Sequence, residues 1–401
     1  MSPLDGIKVL DLSRVLAAPT CTQTLGDLGA EVWKIEAPEG DDTRSWTPPD
    51  LAGESTYYLS ANRNKKSVIV NLKSPEGQEI VRQLMTHADV LVENMKTGTL
   101  ERFGLGWEHA RKINPRLIYC SVSGYGRESP LKDRPGYDLV IQAESGLMSI
   151  TGLPDGEPMK HGMAITDLVT GMASVQAILA ALIARATTGK GQHLDMALYD
   201  CAVATLANIG SSYLNAGLVA GRAGNAHPTI VPYQSFPTSN GAVVVAVGND
   251  GQYRKLCGEV LERPDLGTDP RFLKNHDRVV NRKVLVPLIA ARFRDKTTEE
   301  WVPRLVAAGI PNGQVRNVGQ VFTAPEALER GLVTRAPHPT GGEVTMIASP
   351  LRLSDTPVRA PVAPPLLGQH TEEVLREVLG ADKARIDGWV AAGAVALGKG
   401  A

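Results

Sequence analysis

Apolar positions in the first two hundred residues recur in two rhythms. Short runs such as Ile7 to Leu12 and Leu117 to Val122 are apolar at nearly every position, and Glu31 to Glu36 alternates with period two; each predicts a strand. Ser67 to Leu72 and Val90 to Val92 are two more. Helical spacing fills the gaps. Pro19 opens a segment that reaches Leu28 and is stopped by Gly29. Ser74 caps another that runs to about His87, with Pro75 in its first turn and Ile80, Val81 and Leu84 on one face. Strand and helix in alternation, with strands apolar on both faces, predict a parallel sheet covered by helices.

From Met163 to about Thr187 the pattern is one long Ala-rich helix, interrupted by Gly171 and ended at Thr188-Gly189-Lys190-Gly191. A strand over His193 to Ala197 leads into a helix from Leu198 to about Leu214. Gly217, Gly221, Gly224, Pro228 and Pro232 then mark a linker and loop. Ala242 to Val247 restarts an α/β pattern, with helical stretches near Gln252 to Leu261 and Thr298 to Ala307. The expected organisation is a large α/β domain over 1–215 and 335–401, a small α/β domain over 225–325, and linkers at 216–224 and 326–334. The tail is rich in proline from Pro337 to Pro365, so it is expected to run extended, to return to the first domain, and to end in a last helix over Thr371 to Leu379.

Composition narrows the function. Across 401 residues, Lys and Arg number 42 and Asp and Glu 43, a net charge of −1, which gives no electrostatic pull toward nucleic acid or an anionic membrane. Aromatic residues make up 5%, too few for a base-stacking surface. No run reaches the ~18 to 20 uninterrupted apolar residues of a membrane span, and the opening Met1 to Gly6 does not read as a signal peptide. Neither nucleic acid nor membrane is an expected partner. Cys21, Cys120, Cys201 and Cys257 are far apart and read as reduced thiols of a cytoplasmic chain. The histidines are equally scattered, so no metal site is expected.

The common nucleotide and hydrolase motifs are missing. After the first strand stands Leu12-Ser13-Arg14-Val15-Leu16-Ala17-Ala18-Pro19, with no Gly-x-Gly-x-x-Gly. Thr188-Gly189-Lys190-Gly191 is half a P-loop at most and reads as a helix end capped by Gly189. Ser121-Val122-Ser123-Gly124 lacks the first glycine of a nucleophile elbow. Asp167 is more informative: an acid in the first turn of an apolar helix, where amides and the helix dipole can hold it as an anion. It reads either as a helix-start acid or as a carboxylate nucleophile. Tyr137, in Gly136-Tyr137-Asp138, reads as a loop aromatic. Arg63, Lys65 and Lys66 form a basic cluster that reads as a solvated edge or as a phosphate contact. Asn94 and Arg102 fall where open α/β sheets bind ligands.

Several motifs in order then carry a resemblance. Asp11-Leu12-Ser13-Arg14-Val15, Gly29 to Glu36, Asn64-Lys65-Lys66-Ser67, Val92-Glu93-Asn94, Arg134-Pro135-Gly136-Tyr137-Asp138, the Asp167 helix and Pro365-Leu366-Leu367-Gly368-Gln369-His370 together resemble the family III CoA-transferases, a superfamily that includes formyl-CoA, carnitine and bile-acid CoA-transferases and α-methylacyl-CoA racemase. The resemblance implies a Rossmann-like large domain with a small α/β domain, in an interlocked homodimer. It implies Asp167 as nucleophile with Tyr137 beside it, and CoA contacts at Leu16, Ala37, Val70, Asn94 and Arg102, with Lys66 added from the basic cluster. No permanent cofactor is implied; CoA and acyl-CoA are substrates.

Racemase members place a histidine where this chain has Tyr137, and α-proton exchange needs that second acid/base group, so transfer is favoured over racemisation. A non-catalytic CoA-binding protein is the remaining alternative. Formyl-CoA transferase has glutamine at the Leu16 position and a glycine-rich loop where this chain has Gly224 to Pro228, which turns the reading away from oxalate. The runs Gly224 to Gln234, Gly248 to Gln252 and Asn275 to Lys283 are similar to succinyl-CoA:dicarboxylate enzymes such as the succinate–hydroxymethylglutarate CoA-transferases. That branch implies succinyl-CoA as donor and glutarate or 3-hydroxy-3-methylglutarate as acceptor.

Overall fold

A computed structural model describes residues 1–398; residues 399–401 lie outside it. The chain divides into two compact units. The larger comprises Met1–Leu147, Lys160–Leu218 and the described residues from Pro325 onward, the smaller Met148–Met159 and Val219–Ala324. That residues 148–159 go with the smaller unit has no counterpart in composition.

The larger unit is built on a seven-stranded sheet in the order Val395–Ala396, Lys65–Val70, Glu31–Glu36, Lys8–Leu12, Val90–Glu93, Ile118–Ser123, His193–Ala197. Every pairing is parallel except that of Val395–Ala396 at the edge. The central strands are apolar on both sides because both faces are covered, with the buried charges Asp11, Lys34 and Glu93 as interruptions: Leu10, Trp33, Val68 and Leu91 enter one buried cluster, Val9, Val32, Val90 and Ile118 the other. Ser74 does cap the Pro75–His87 helix, accepting the Gly77 N–H at 2.9 Å.

The chain leaves the Lys8–Leu12 strand to one side and later returns to its other side with Val90–Glu93, so the strand order reverses between these two neighbours. Register pairs Leu12 with Glu93. The loops that follow these strands therefore start side by side at the carboxyl edge, the place where such sheets hold ligands.

Several sequence expectations need correction. The third strand is Lys65–Val70, two residues earlier than its hydropathy indicates, because Lys65 is buried against Asp11 and Asn71 turns the chain. The helix expected over Leu198 to Leu214 is two, Leu198–Ala204 and Ala207–Ala216, broken at Ala207 with φ +42°. Thr371–Leu379 is followed by a further helix, Lys383–Ala391, and by the edge strand. One helix among the described residues, Ile165–Thr188, has the length and composition to cross a membrane. It packs on the Ala17–Asp27 helix, and Gly171 permits this: a Cβ there would lie 2.7 Å from the Ala17 carbonyl. Gly189, at φ +70°, ends it as read.

The tail does return to the larger unit. Arg359 N–H donates to the Asp27 carbonyl, Val362 N–H to Asn64 Oδ1, and Gly368 N–H to Ser67 Oγ. It is not wholly extended, since Val333–His338 and Gly342–Ile347 pair as a hairpin. The smaller unit carries a three-stranded antiparallel sheet of Asn312–Gln314, Ala242–Ala246 and Tyr233–Pro237 around Phe236, Phe293 and Trp301.

Candidate active site

Two cavities open at the carboxyl ends of the central strands, both within the larger unit. They share Arg14, Met95 and Lys96 as common walls. The first, of about 260 Å³, is lined by Leu16, Asn94, Tyr137, Asp138 and Asp167, among others. The second, of about 550 Å³, is floored by Ala37, Val70, Leu72 and Phe103 and bordered by Lys73.

Asp167 stands in the first turn of Ile165–Thr188, a helix whose N-cap, Ala164, offers no capping side chain. Asp138 supplies the cap from another element. Its Oδ1 accepts the Thr166 N–H at 2.9 Å and the Thr166 hydroxyl at 2.6 Å, while its Oδ2 accepts Gln142 Nε2 at 2.7 Å. The Asp167 carboxylate is left without a hydrogen bond among the described residues. The sequence expectation that helix amides hold it as an anion is corrected: burial, and then the Asp138 carboxylate beside it, push its pKa up to about 7. Near neutral pH such a group is divided between a carboxylic acid and a poorly solvated, reactive carboxylate.

The wall facing it is the Arg14–Leu16 segment. Arg14 is held on both sides by Asn94, whose Oδ1 accepts the Arg14 N–H at 2.8 Å and whose Nδ2 donates to the Arg14 carbonyl at 2.7 Å. Val15 adopts φ +70°, a conformation that β-branched residues rarely take, and its N–H points to Asp41 Oδ1 at 3.3 Å. Beneath this segment lies a buried ionic layer. Lys34 Nζ lies 2.9 Å from Asp41 Oδ2 and donates to the Ser13 carbonyl; Lys65 Nζ lies 3.2 Å from Asp11 Oδ2. Burial alone raises an acid such as Asp11, but Lys65 and Lys34, with the Ser13 and Thr22 hydroxyls, bring it below its ordinary value. Burial lowers Lys65 to about 8 against the attraction of Asp11.

The residues singled out in the sequence fall in three places. Asp167, Tyr137, Leu16 and Asn94 share the first cavity, with Tyr137 largely exposed; Ala37 and Val70 line the second. Arg102 is exposed on the short Thr99–Arg102 helix, between Thr99 and Phe103, which line the second cavity. Lys66 lines neither. Its ammonium sits 3.0 Å from Glu31 and 2.7 Å from Glu373. Nor is its cluster a solvated edge: Arg63 and Lys65 are buried, Arg63 against Asp27 and Lys65 against Asp11.

Sequence reasoning missed Asp138 as a partner of Asp167, although it is the third residue of the Gly136-Tyr137-Asp138 turn. It also missed Tyr57. Burial raises the Tyr57 phenol, and the Asp167, Asp138 and Asp41 carboxylates raise it further. Its ring meets Trp46 edge to face, centroids 4.8 Å apart. Two aromatic residues in a chain so poor in them were the only available signal.

Comparison with known proteins decides the family. The profile of CoA-transferase family III matches residues 4–371. The chain belongs to CoA-transferase family III. It is 46% identical over 396 residues to the Homo sapiens succinyl-CoA:glutarate CoA-transferase, covering 98% of this chain and 90% of that protein. It is 42% identical over 383 residues to the Agrobacterium fabrum succinate–glutarate CoA-transferase, covering 94% and 96%. The crystal structure of a CaiB/BaiF family protein from Brucella suis superposes with a TM-score of 0.85 at 43% identity, over 94% of this chain and 99% of that one. As a family III CoA-transferase, the chain is an enzyme that transfers CoA between carboxylic acids.

Proposed function

We propose that this CoA-transferase moves CoA from succinyl-CoA to a dicarboxylic acid such as glutarate, with Asp167 as the covalent carrier. The substrates follow the relatives, two of which bear names that pair succinate or succinyl-CoA with glutarate. The carrier rests on one observation above all: a part-buried carboxyl group, raised to about 7, in a cavity that shares walls with a larger one.

Transfer of CoA between two acids is near thermoneutral, so the thioester must be conserved and water kept from it. The Asp167 carboxylate attacks the succinyl thioester carbonyl; the C–S bond breaks, leaving a mixed anhydride and CoA thiolate. The thiolate attacks the Asp167 acyl carbon, forming an aspartyl-CoA thioester and releasing succinate. The acceptor carboxylate attacks that thioester, giving a second anhydride and thiolate. Attack of the thiolate on the acceptor acyl carbon yields the new acyl-CoA and restores the Asp167 carboxylate. Tyr137 stands at the developing oxyanions. CoA enters and leaves as substrate, its nucleotide in the second cavity over Ala37, Val70 and Phe103 with Lys73 and Lys96 at the phosphates and Arg102 at the mouth.

The working form is a homodimer. In the Ile165–Thr188 helix, only 33% of the most apolar window is buried within the chain, and Met172 and Ile183 stand 59% and 73% exposed. A surface of that kind calls for a partner, and a second copy closing over the first cavity would exclude water.

The test is exchange of labelled succinate into succinyl-CoA. Asp167→Asn should lower it at least about a thousandfold, with the far-ultraviolet circular dichroism unchanged. Full turnover in the variant would remove Asp167 from the reaction. Deuterium wash-in at the α-carbon without an acceptor acid would redirect the reading to racemisation.

A further inference from the structure

The two cavities are separated by a very short piece of chain. Arg14 lines both, Val15, Leu16 and Ala17 line the first, and Ser13 lines the second. We infer that Asn94 is a positioning residue that holds the Arg14–Leu16 segment in the shape required of this partition.

Three successive backbone groups of the segment are tied to side chains from other elements. Both ends of the Asn94 amide engage Arg14, one at its N–H and one at its carbonyl. Asp41, itself fixed by Lys34 and by the Thr43 N–H and hydroxyl, faces the next N–H, that of Val15. The Leu16 carbonyl accepts the Thr20 N–H at 2.8 Å, already inside the Ala17–Asp27 helix. Register explains the reach of Asn94: Leu12 pairs with Glu93, so Asn94 leaves the sheet beside Ser13 and Arg14.

The ties are needed because of Val15. At φ +70° its branched side chain crowds the backbone, and a free segment would relax to another conformation. Relaxation moves the wall shared by the nucleotide and acyl cavities, and a thioester displaced by about 1 Å from its attacking carboxylate reacts far more slowly. Asn94 thus acts through Arg14 and Val15, a role distinct from the direct CoA contact that the family resemblance implies for it.

The inference rests on the cleft being the acyl-CoA site, and the variants separate the two. Succinyl-CoA to glutarate transfer is measured for the wild type, Asn94→Ala, Asn94→Asp, Val15→Gly and the combination of Val15→Gly with each Asn94 variant, with a thermal melt of each. Asn94→Ala should lower kcat roughly 30-fold while melting within a few degrees of the wild type. Asn94→Asp, which keeps the acceptor for Arg14 N–H but sets an anionic oxygen against the Arg14 carbonyl, should lose at least as much. Adding Val15→Gly should restore about tenfold of either loss, because glycine enters positive φ without strain.

A side chain that merely touched CoA would show no such rescue. The inference is overturned if Asn94→Ala stays within about threefold of wild-type kcat, or if glycine at 15 restores nothing in either background. Should Asn94→Ala fail to fold, the Asn94→Asp pair carries the same comparison. Retained turnover in Asp167→Asn would instead overturn the reading of the cleft, whatever Asn94 does.

Discussion

Asp167 lacks the amide donors usual for an acid at a helix start: Asp138 takes the Thr166 N–H, while the Ile165 and Leu168 N–H groups go to the Met163 and Ala164 carbonyls. One Asp138 oxygen receives both the Thr166 N–H and the Thr166 hydroxyl, and the charge it brings opposes ionisation next door. The sign follows directly. On the proposed mechanism the reactive form is the carboxylate, so kcat/KM for succinyl-CoA should climb with pH through about 7 and then level off. Asp138→Asn keeps an acceptor for Thr166 and removes the like charge, so the same profile should shift to lower pH. An unmoved midpoint would mean that another group sets the pH dependence. Sequence pattern marks Asp167 as an acid in an apolar helix, and the ordered motifs mark it as a nucleophile, but its titration is not legible there. That depends on which neighbour reaches it first, a matter of how the Asp138–Glu144 helix packs. Lys66 shows the reverse case, a cation whose placement beside a strand reads as phosphate contact while two glutamates hold it elsewhere.

Elements bring these residues together through close backbone approaches. Gly124 ends the Ile118–Ser123 strand and Gly136 begins the turn carrying Tyr137 and Asp138; a Cβ on Gly124 would lie 2.6 Å from Gly136 Cα, and one on Gly136 would clash with Gly124. Neither can hold a side chain unless the turn retreats. Gly136→Ala should therefore displace Tyr137 and Asp138 from Asp167, cutting kcat by more than tenfold and destabilising the fold by about 1–3 kcal/mol. Denaturant titration beside steady-state rates checks both, and a variant with normal kcat would show that the turn moves without consequence. Strands and long helices were legible because burial on two faces imposes continuous apolar runs and helical packing imposes its own period. The shifted Lys65–Val70 strand was not, because a buried Lys–Asp pair looks polar in sequence. The break at Ala207 lacks a glycine that would have announced it, whereas the hairpin over Val333–Ile347 does carry a turn signal, Pro339-Thr340-Gly341-Gly342, which the proline-rich pattern of the tail masked.

For the whole molecule, the order of apolar runs predicted a parallel sheet with a smaller α/β unit, and the proline-rich tail predicted a return to the first. Hydrogen bonds from Arg359, Val362 and Gly368 make that return. Sequence gives no measure of how much of the Ile165–Thr188 helix stays uncovered, since an apolar helix reads the same inside one chain or between two. If that face joins two copies, light scattering should give twice the chain mass. Ile183→Glu, an anion on the uncovered face, should then yield monomer with transfer activity reduced at least about tenfold. A fully active monomer would separate the site from assembly.

Covalent carriage of CoA by Asp167 is open to direct observation. The enzyme is mixed with succinyl-CoA without an acceptor acid, quenched in acid, digested and mapped by mass spectrometry, with hydroxylamine treatment of a parallel sample. The expected result is CoA on the peptide containing Asp167, converted by hydroxylamine to the hydroxamate at that residue. CoA attached at another residue, or an unmodified Asp167 peptide from enzyme that is turning over, would contradict it.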